Sequence, residues 1–181
     1  MIVCFVAFLI LIVIYVIATY NSLVQLNNKV KEAFSTMNVY LKKRWDLIPN
    51  LVETVKGYAK HEKDTLEEVI KLRNNAYETM SNDEKMKTNI QLSTGVSKIM
   101  ALAESYPDLK VNENFRDLSN QVSKVEEDIA NSRKYYNSVV CNYNNKVEMF
   151  PGNILAGMFG YHTKEMFEVN NNERGNIKIT F

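Results

Sequence analysis

The first twenty residues differ from the rest of the chain in their hydrophobic pattern. Residues 1–18 carry no charged or strongly polar side chain, and the first lysine is Lys29. At ~1.5 Å of rise per residue, a helix over residues 2–20 is about 28 Å long, close to the ~30 Å hydrocarbon core of a bilayer. Tyr20 stands where an interfacial aromatic side chain belongs. The pattern predicts one transmembrane helix over residues 1–20.

A cleavable signal peptide is the alternative interpretation of this run. It lacks a basic n-region, is too long for an h-region and offers no clear A-x-A cleavage site. The sequence therefore favours a retained anchor.

Beyond the anchor, apolar residues recur at intervals of three and four, which is typical of amphipathic helices. From Leu23 to Leu41 this spacing predicts a helix that continues the membrane span. Residues 42–49 then change character: three cations, Asp46 as an N-cap and Pro49 in a first turn predict a turn between two helices.

A single kinked helix is the alternative at this point, because no glycine marks a C-cap and the apolar stripe continues through Ile48, Val52 and Val55. In either case the spacing predicts helix from Leu51, through positions that include Ala76, to about Met80. Gly57 is a weak point inside it.

Two further helices follow. Residues 81–84 predict a polar loop and N-cap, and a third helix then runs until Pro107 stops it. Residues 115–150 keep a three-four alternation over about five heptads and end at Pro151. Four amphipathic helices with short loops predict an all-α fold, an up-and-down antiparallel four-helix bundle behind the transmembrane helix.

These patterns divide the chain into three parts. Residues 1–20 are the transmembrane helix, residues 21–150 the bundle domain, and residues 151–181 a partly ordered tail. The tail can form one more short helix against the bundle or the membrane surface, and residues 170–181 are expected to be frayed. The apolar tail positions are Ile154, Leu155, Met158, Phe159 and Phe167.

Charge and cysteine content bear on partners and compartment. With 22 basic and 21 acidic residues the net charge is +1, which gives no long-range field for nucleic acid. Lysine and arginine follow the anchor and none precedes it, so the positive-inside rule places the domain in the cytoplasm. Cys4 in the span and Cys141 in a helix are not expected to pair, as a reducing compartment permits.

Several motifs together resemble the LemA family. They are Tyr20-Asn21, residues 41–52 (LKKRWDLIPNLV), residues 55–62 (VKGYAKHE), residues 106–110 (YPDLK), residues 133–137 (RKYYN), Tyr143-Asn144 and Phe150-Pro151. The matches cover nearly the whole chain in order, although Trp45 replaces the family's more usual Tyr or His. The resemblance implies a bacterial membrane protein with one N-terminal span and a helical-bundle domain, and it implies no established reaction.

Catalytic and metal-binding motifs are not found. His61-Glu62 begins an HExxH pattern, but Thr65 stands where the second histidine is required. The only other histidine is His162, so no ordinary zinc set can be assembled, and no glycine-rich phosphate loop or nucleophile elbow occurs. The sequence therefore predicts no catalytic, cofactor-binding or metal-binding residue and no cofactor.

Two patterns in the helices have competing interpretations. Residues 42–44 (KKR) are interpreted as a solvated helix end rather than a lipid-binding patch, because a continuous helix would place them about 33 Å beyond Tyr20. Tyr136 and Tyr143 are expected to lie in the core with hydroxyls at its edge. Asn137 and Asn144 can fix helix register or accept a partner, and the structural role is favoured.

Three functions remain open. The favoured one is a membrane-anchored interaction scaffold or adaptor, with the bilayer bound through residues 1–20, unknown protein partners, possible self-association and no nucleic acid. A membrane-state sensor is the alternative. The least favoured is an enzyme using acids such as Glu62, Glu67 and Glu126, which would have to converge in a pocket.

Overall fold

The computed structural model describes residues 1–59, 61–73 and 77–167, and of Glu78 the backbone alone. Every regular element in these residues is helical, which confirms the predicted all-α class. The elements are α1 (Ile2–Lys56), α2 (Lys63–Arg73), a 3-10 turn (Tyr77–Thr79), α3 (Asn82–Glu104), α4 (Pro107–Lys110), α5 (Glu113–Glu148) and α6 (Gly152–Met158). The predictions for Ala76 and for residues 170–181 lie outside the described residues.

Helix α1 is 55 residues long and continuous. Its first part, with exposed apolar side chains over residues 1–15, is long and apolar enough to cross a membrane, and no other helix in the described ranges meets that test. This agrees with the predicted anchor.

The predicted turn at residues 42–49 is wrong, because α1 passes through it with Pro49 inside the helix. Asp46 does not cap a helix; its carboxylate accepts from Lys42 Nζ at 2.7 Å, one turn away. The apolar stripe that continues through Ile48 and Val52 is buried, and this packing outweighs the backbone hydrogen bond that proline removes. The helix instead ends before Gly57, the predicted weak point, so the predicted single helix from Leu51 to about Met80 is also wrong.

The described chain forms two compact units, and α1 and α5 contribute to both. The first unit contains residues 1–37 and 132–167, and the second contains the described part of residues 38–131.

The second unit buries apolar side chains from α1, α2, α3 and α5. Helices α2 and α3 approach closely at Gly95, where an added Cβ would lie 2.8 Å from Val69 Cγ2. Helix α3 begins at an N-cap within residues 81–84, as predicted, and the cap is a capping box. Ser81 Oγ accepts from the Glu84 amide, and the Glu84 carboxylate accepts from the Ser81 amide at 2.8 Å. The buried positions include Leu41, Ile48, Leu51, Val69, Leu92, Ile99, Val125 and Ile129.

The first unit is built from the N-terminal part of α1, the C-terminal part of α5, α6 and the segment that follows it. Phe34 on α1 meets Tyr136 on α5 edge to face, with ring centroids 5.9 Å apart. Helix α6 matches the short helix predicted after Pro151. The buried positions include Leu23, Val30, Ala33, Met37, Val140, Tyr143 and Ala156.

Candidate functional site

Two Tyr-Asn pairs lie on α5 at a spacing of seven residues. They are Tyr136 with Asn137 and Tyr143 with Asn144. Seven residues make two helical turns, so the second pair lies directly along the helix from the first. We call these four residues the Tyr-Asn ladder.

Residues 161–167, the C-terminal strap, reach the ladder through a turn at the end of α6. Gly160 has φ +73°, the left-handed conformation that glycine adopts most easily. The Tyr161 amide donates to the Ala156 carbonyl at 2.9 Å, and the Gly160 amide donates to the Gly157 carbonyl at 3.3 Å. This pair of bonds is a Schellman motif, which ends the helix and turns the chain toward α5.

Tyr143 and Asn144 hold the first half of the strap. The Tyr143 hydroxyl donates to the His162 carbonyl at 2.9 Å. The Asn144 amide group forms two bonds with Lys164, since its Nδ2 donates to the Lys164 carbonyl at 2.9 Å and its Oδ1 accepts from the Lys164 amide at 2.9 Å. Both backbone groups of Lys164 are therefore paired with one side chain.

Tyr136 and Asn137 repeat the arrangement three strap residues further on. The Tyr136 hydroxyl donates to the Glu165 carbonyl at 3.2 Å. Asn137 Nδ2 donates to the Phe167 carbonyl at 2.9 Å, and Asn137 Oδ1 accepts from the Phe167 amide at 2.7 Å.

The repeat follows from the dimensions of the two chains. Seven residues of α-helix rise about 10.5 Å, and three residues of extended chain cover about 10 Å. Each Tyr-Asn pair therefore meets the same backbone groups of a chain that runs antiparallel to α5. All of these bonds go to main-chain atoms, so the ladder binds extended polypeptide largely independently of its sequence.

One strap side chain is nonetheless bound specifically. Phe167 is 2% exposed, and the Arg133 guanidinium lies 4.2 Å from its ring centroid. Lys164 Nζ lies 5.4 Å from the Tyr143 ring, whereas His162, Thr163, Glu165 and Met166 are exposed. The site therefore binds extended backbone with one bulky apolar anchor.

Partial burial affects two ionisable groups of this site. Desolvation raises the pKa of the Tyr143 phenol. The hydroxyl therefore keeps its proton, and its role as a donor, throughout the neutral range. Desolvation, with a smaller contribution from the charge of Lys31, lowers the pKa of Lys164.

The second unit contains a separate polar cluster around Arg44, which is fully buried. Its Nη1 donates to the Glu126 carboxylate at 2.8 Å and to the Ser93 hydroxyl, and its Nη2 donates to the carbonyl and the side-chain oxygen of Asn89, each at 2.6 Å. Asn89 Nδ2 in turn donates to the Lys85 carbonyl at 2.7 Å. The cluster joins α1, α3 and α5, and the ion pair neutralises the buried charge.

The interpretation of residues 42–44 as a solvated helix end is therefore wrong for Arg44. Lys43 is exposed and Lys42 partly exposed, as that interpretation expects. Helical geometry turns the third cation inward, onto the carboxylate of Glu126.

The candidate acids of the enzyme hypothesis are distributed over different environments. Glu126 binds Arg44, and the Glu67 carboxylate lies 3.5 Å from Lys63 Nζ. Glu62 is half-buried between α1 and α2, next to His61, which is exposed. Within the described ranges, no group of three or more His, Cys, Asp or Glu side chains is placed to hold a metal ion.

Two cavities of the second unit differ in chemistry. A cavity of about 300 Å³ is lined by Glu104, Lys110 and Arg116 among others, and Glu104 is the single carboxylate among its described lining residues. A groove of about 440 Å³ has an apolar floor of Val52, Ala59, Leu66 and Ile70 with Lys56, Lys63 and Glu67 at its rim. Among the residues that the structure describes, neither lining brings together a pair of carboxylates for acid–base catalysis.

The core placement of Tyr136 and Tyr143 agrees with the sequence prediction, but the strap contacts of Asn137 and Asn144 were not predicted. The heptad spacing of two Tyr-Asn dipeptides was the available signal. What the spacing does not reveal is the identity of the segment they bind, since the strap comes from 19 to 30 residues further along the chain.

Comparisons with known proteins assign residues 33–181 to one family, whose model is described as the LemA family. The chain is 24% identical over 162 residues to the Protein LemA of Metamycoplasma hominis, over 87% of this chain and 72% of that protein. It is 27% identical over 73 residues to the magnetosome proteins MamQ 2 and MamQ 1 of Paramagnetospirillum magneticum, over 40% of this chain and 27% of each relative. The chain thus spans about a quarter of the length of the MamQ proteins, whereas the LemA family model and the LemA relative match most of this chain.

Proposed function

The chain belongs to the LemA family, and from this premise we propose that it is a membrane-anchored scaffold that binds polypeptides and catalyses no reaction. Residues 1–20 hold it in a bacterial membrane. Residues 21–150 form a four-helix up-and-down bundle on the cytoplasmic side, followed by the tail of residues 151–181.

The observation that carries this proposal is the Tyr-Asn ladder. Its six hydrogen bonds to the strap all end on backbone atoms. A surface of this kind accepts any extended segment that supplies a bulky apolar residue at the position of Phe167. The partner we propose is such a segment, from another protein or from a second copy of this chain.

The strap then acts as an internal ligand that competes with the partner. A segment in the same chain is present at high effective concentration, so an outside peptide binds more weakly while the strap is in place. Partner binding requires the strap to leave the ladder, and this step offers a point of control.

A peptide titration tests the proposal on the full chain in lipid nanodiscs. Lys164→Pro removes the backbone N–H that donates to Asn144 Oδ1, and Phe167→Ala removes the buried ring at the end of the strap. In this double variant the strap is expected to leave the ladder, which is then open to a peptide. A fluorescent peptide of residues 161–167 is expected to bind it saturably and more tightly than it binds the unmodified chain. Adding Asn137→Ala and Asn144→Ala should weaken binding at least about tenfold, since four hydrogen bonds are lost.

Asn145→Ala is the matched control, because Asn145 is exposed beside Asn144 and, within the described ranges, its side chain hydrogen-bonds to Cys141 Sγ at 3.8 Å and to no strap residue. The control should bind like the open-ladder variant. Equal binding by the variants with and without the two ladder asparagines would overturn the proposal, as would the absence of saturable binding.

A specific contact favours a second candidate, the membrane-state sensor. The Tyr20 ring at the end of the anchor meets the Phe159 ring edge to face at 4.9 Å, one residue before the Gly160 turn. Under this candidate, bilayer thickness alters how often the strap leaves the ladder. Amide exchange at Lys164 should then differ between thin and thick bilayers, and Tyr20→Ala should remove the difference. Identical exchange in both bilayers would exclude this function.

A further inference from the structure

The end of α5 and helix α6 carry a group of exposed apolar side chains. Phe150 is 79% exposed and Met158 is 73% exposed, values unusual for side chains of this size in water. We call the group the apolar corner. Its members are Met149, Phe150, Ile154, Met158 and Phe159.

The apolar corner lies beside the C-terminal turns of the predicted membrane span. Phe159 contacts Tyr20 at a centroid distance of 4.9 Å. Met149 and Phe150 line a crevice of about 460 Å³ together with Tyr15 and Leu26 of α1. The corner is thus fixed against a part of α1 that lies partly within residues 2–20.

These contacts set its depth relative to the span. Tyr15 and Tyr20 are about 7.5 Å apart along a helix. If the hydrocarbon region ends near Tyr20, side chains level with residues 15–20 reach the headgroup and acyl boundary, about 5–10 Å deep, where interfacial helices bury their apolar faces.

Charged side chains flank the apolar corner and are absent from it. Residues 149–161 contain no charged side chain, while Lys146 and Glu148 precede the corner and Lys164 and Glu165 follow it. Lys146 also lines the crevice with Tyr15. A lysine at this level can keep its ammonium group among lipid phosphates while its aliphatic stem lies along apolar surface.

We propose that the apolar corner is a second membrane-binding site, which inserts into the bilayer interface beside the transmembrane helix. The inference rests on the proposed anchoring by residues 1–20. Its occupant is lipid, because Phe159 contacts Tyr20 and Phe150 shares a crevice with Tyr15, both within the predicted span.

Site-directed labelling tests the proposal on the full chain in vesicles. After Cys4→Ser and Cys141→Ser, a polarity-sensitive dye is attached at one new cysteine: Phe150→Cys, Met158→Cys, Tyr135→Cys or Phe8→Cys. Tyr135 is the matched control, an aromatic side chain 51% exposed on α5, about 20 Å along the helix from its last residue, Glu148. Phe8 is the reference inside the span.

Quenching of the labels at positions 150 and 158 by nitroxide lipids should be within about twofold of that at position 8. Quenching of the same two labels by aqueous iodide should be weaker than that of the label at position 135. Labels at both corner positions that respond like Tyr135, with Phe8 still quenched by lipid, would overturn the second site alone. A Phe8 label that also responds like Tyr135 would overturn the proposed anchoring, and the inference with it.

Discussion

The Tyr-Asn ladder and the Arg44 cluster are both networks of buried and half-buried polar side chains, and they differ in how the sequence encodes them. The ladder repeats a dipeptide at a fixed interval on one helix, and its ligand is backbone. The Arg44 cluster joins single residues from three helices, with Arg44 and Glu126 separated by 82 positions. The first network can open by releasing one segment, whereas breaking the second leaves the buried Arg44 or the half-buried Glu126 without its counter-charge.

The largest effect is therefore expected at Arg44. Arg44→Ala leaves the Glu126 carboxylate without its cation and creates a cavity, and it should lower the free energy of unfolding by about 3 kcal/mol. Urea unfolding of the chain in detergent micelles, followed by the fluorescence of Trp45, measures this. Lys43→Ala, at the exposed neighbouring position, is the control and should change it by less than about 0.5 kcal/mol. Equal effects of the two substitutions would show that the cluster does not contribute as described.

Replacing both partners separates the cost of an unpaired charge from the value of the pair. Arg44→Met together with Glu126→Leu removes both charges and keeps most of the volume. We expect the double variant to recover to within about 1 kcal/mol of the unmodified chain. A double variant as unstable as Arg44→Ala would show that packing, not charge, dominates the loss.

A smaller, local loss of stability is expected from a substitution at Gly160, where the chain turns from α6 into the strap. Gly160→Ala forces a Cβ into the left-handed conformation at a cost of about 1 kcal/mol. Amide exchange in the strap should accelerate about fivefold, while unfolding measured at Trp45 stays unchanged. Gly157→Ala is the matched control, because it lies within α6 and an added Cβ meets nothing within 4 Å. Faster exchange in both variants would contradict a specific role for the Gly160 turn.

The smallest effect concerns the capping box of α3, in the same unit as Arg44. Hydrogen bonds from the Ser81 backbone and side chain lower the pKa of Glu84 from its ordinary value of 4.5. A lowered pKa means that the charged form stabilises the folded state above pH 4.5, and that this contribution is lost as pH falls through the folded-state pKa.

Glu84→Gln keeps an acceptor and removes the titration. Unfolding of the variant should therefore depend less on pH than that of the unmodified chain between neutral pH and about pH 3. Identical pH dependence would show that the Glu84 carboxylate does not contribute through its charge.

The features predicted from the sequence are those encoded locally, and the features missed depend on contacts between distant residues. The all-α class, the N-cap within residues 81–84 and the core positions of Tyr136 and Tyr143 depend on local pattern, and they were predicted correctly. The turn at residues 42–49 was wrong because Pro49 and Asp46 carry local signals that the buried stripe of α1 overrides. The Arg44–Glu126 pair was missed because neither residue has a local signal, and only the packing of three helices brings them together.

The strap was missed for a related reason. Phe167 was recognised as an apolar tail position, but its contact with α5 depends on a turn at Gly160 whose direction the residue pattern does not specify. The ladder also binds main-chain atoms, which every residue has, so the hydrogen-bonded strap positions carry no characteristic side chain.

The most direct test of the ladder is amide hydrogen exchange along the strap of the unmodified chain. Only the amides of Lys164 and Phe167 donate to the ladder, and within the described residues those of positions 163, 165 and 166 form no hydrogen bond. The Tyr161 amide, at the start of the strap, donates to the Ala156 carbonyl instead. Beyond Tyr161 we therefore predict two protected amides three residues apart, with fast exchange between them.

Two substitutions make the measurement specific. Asn144→Ala should release the Lys164 amide before that of Phe167, and Asn137→Ala should release the Phe167 amide before that of Lys164. Strap amides that exchange uniformly, or protection at Lys164 and Phe167 that survives loss of their asparagines, would contradict the account that α5 holds extended polypeptide through its main chain.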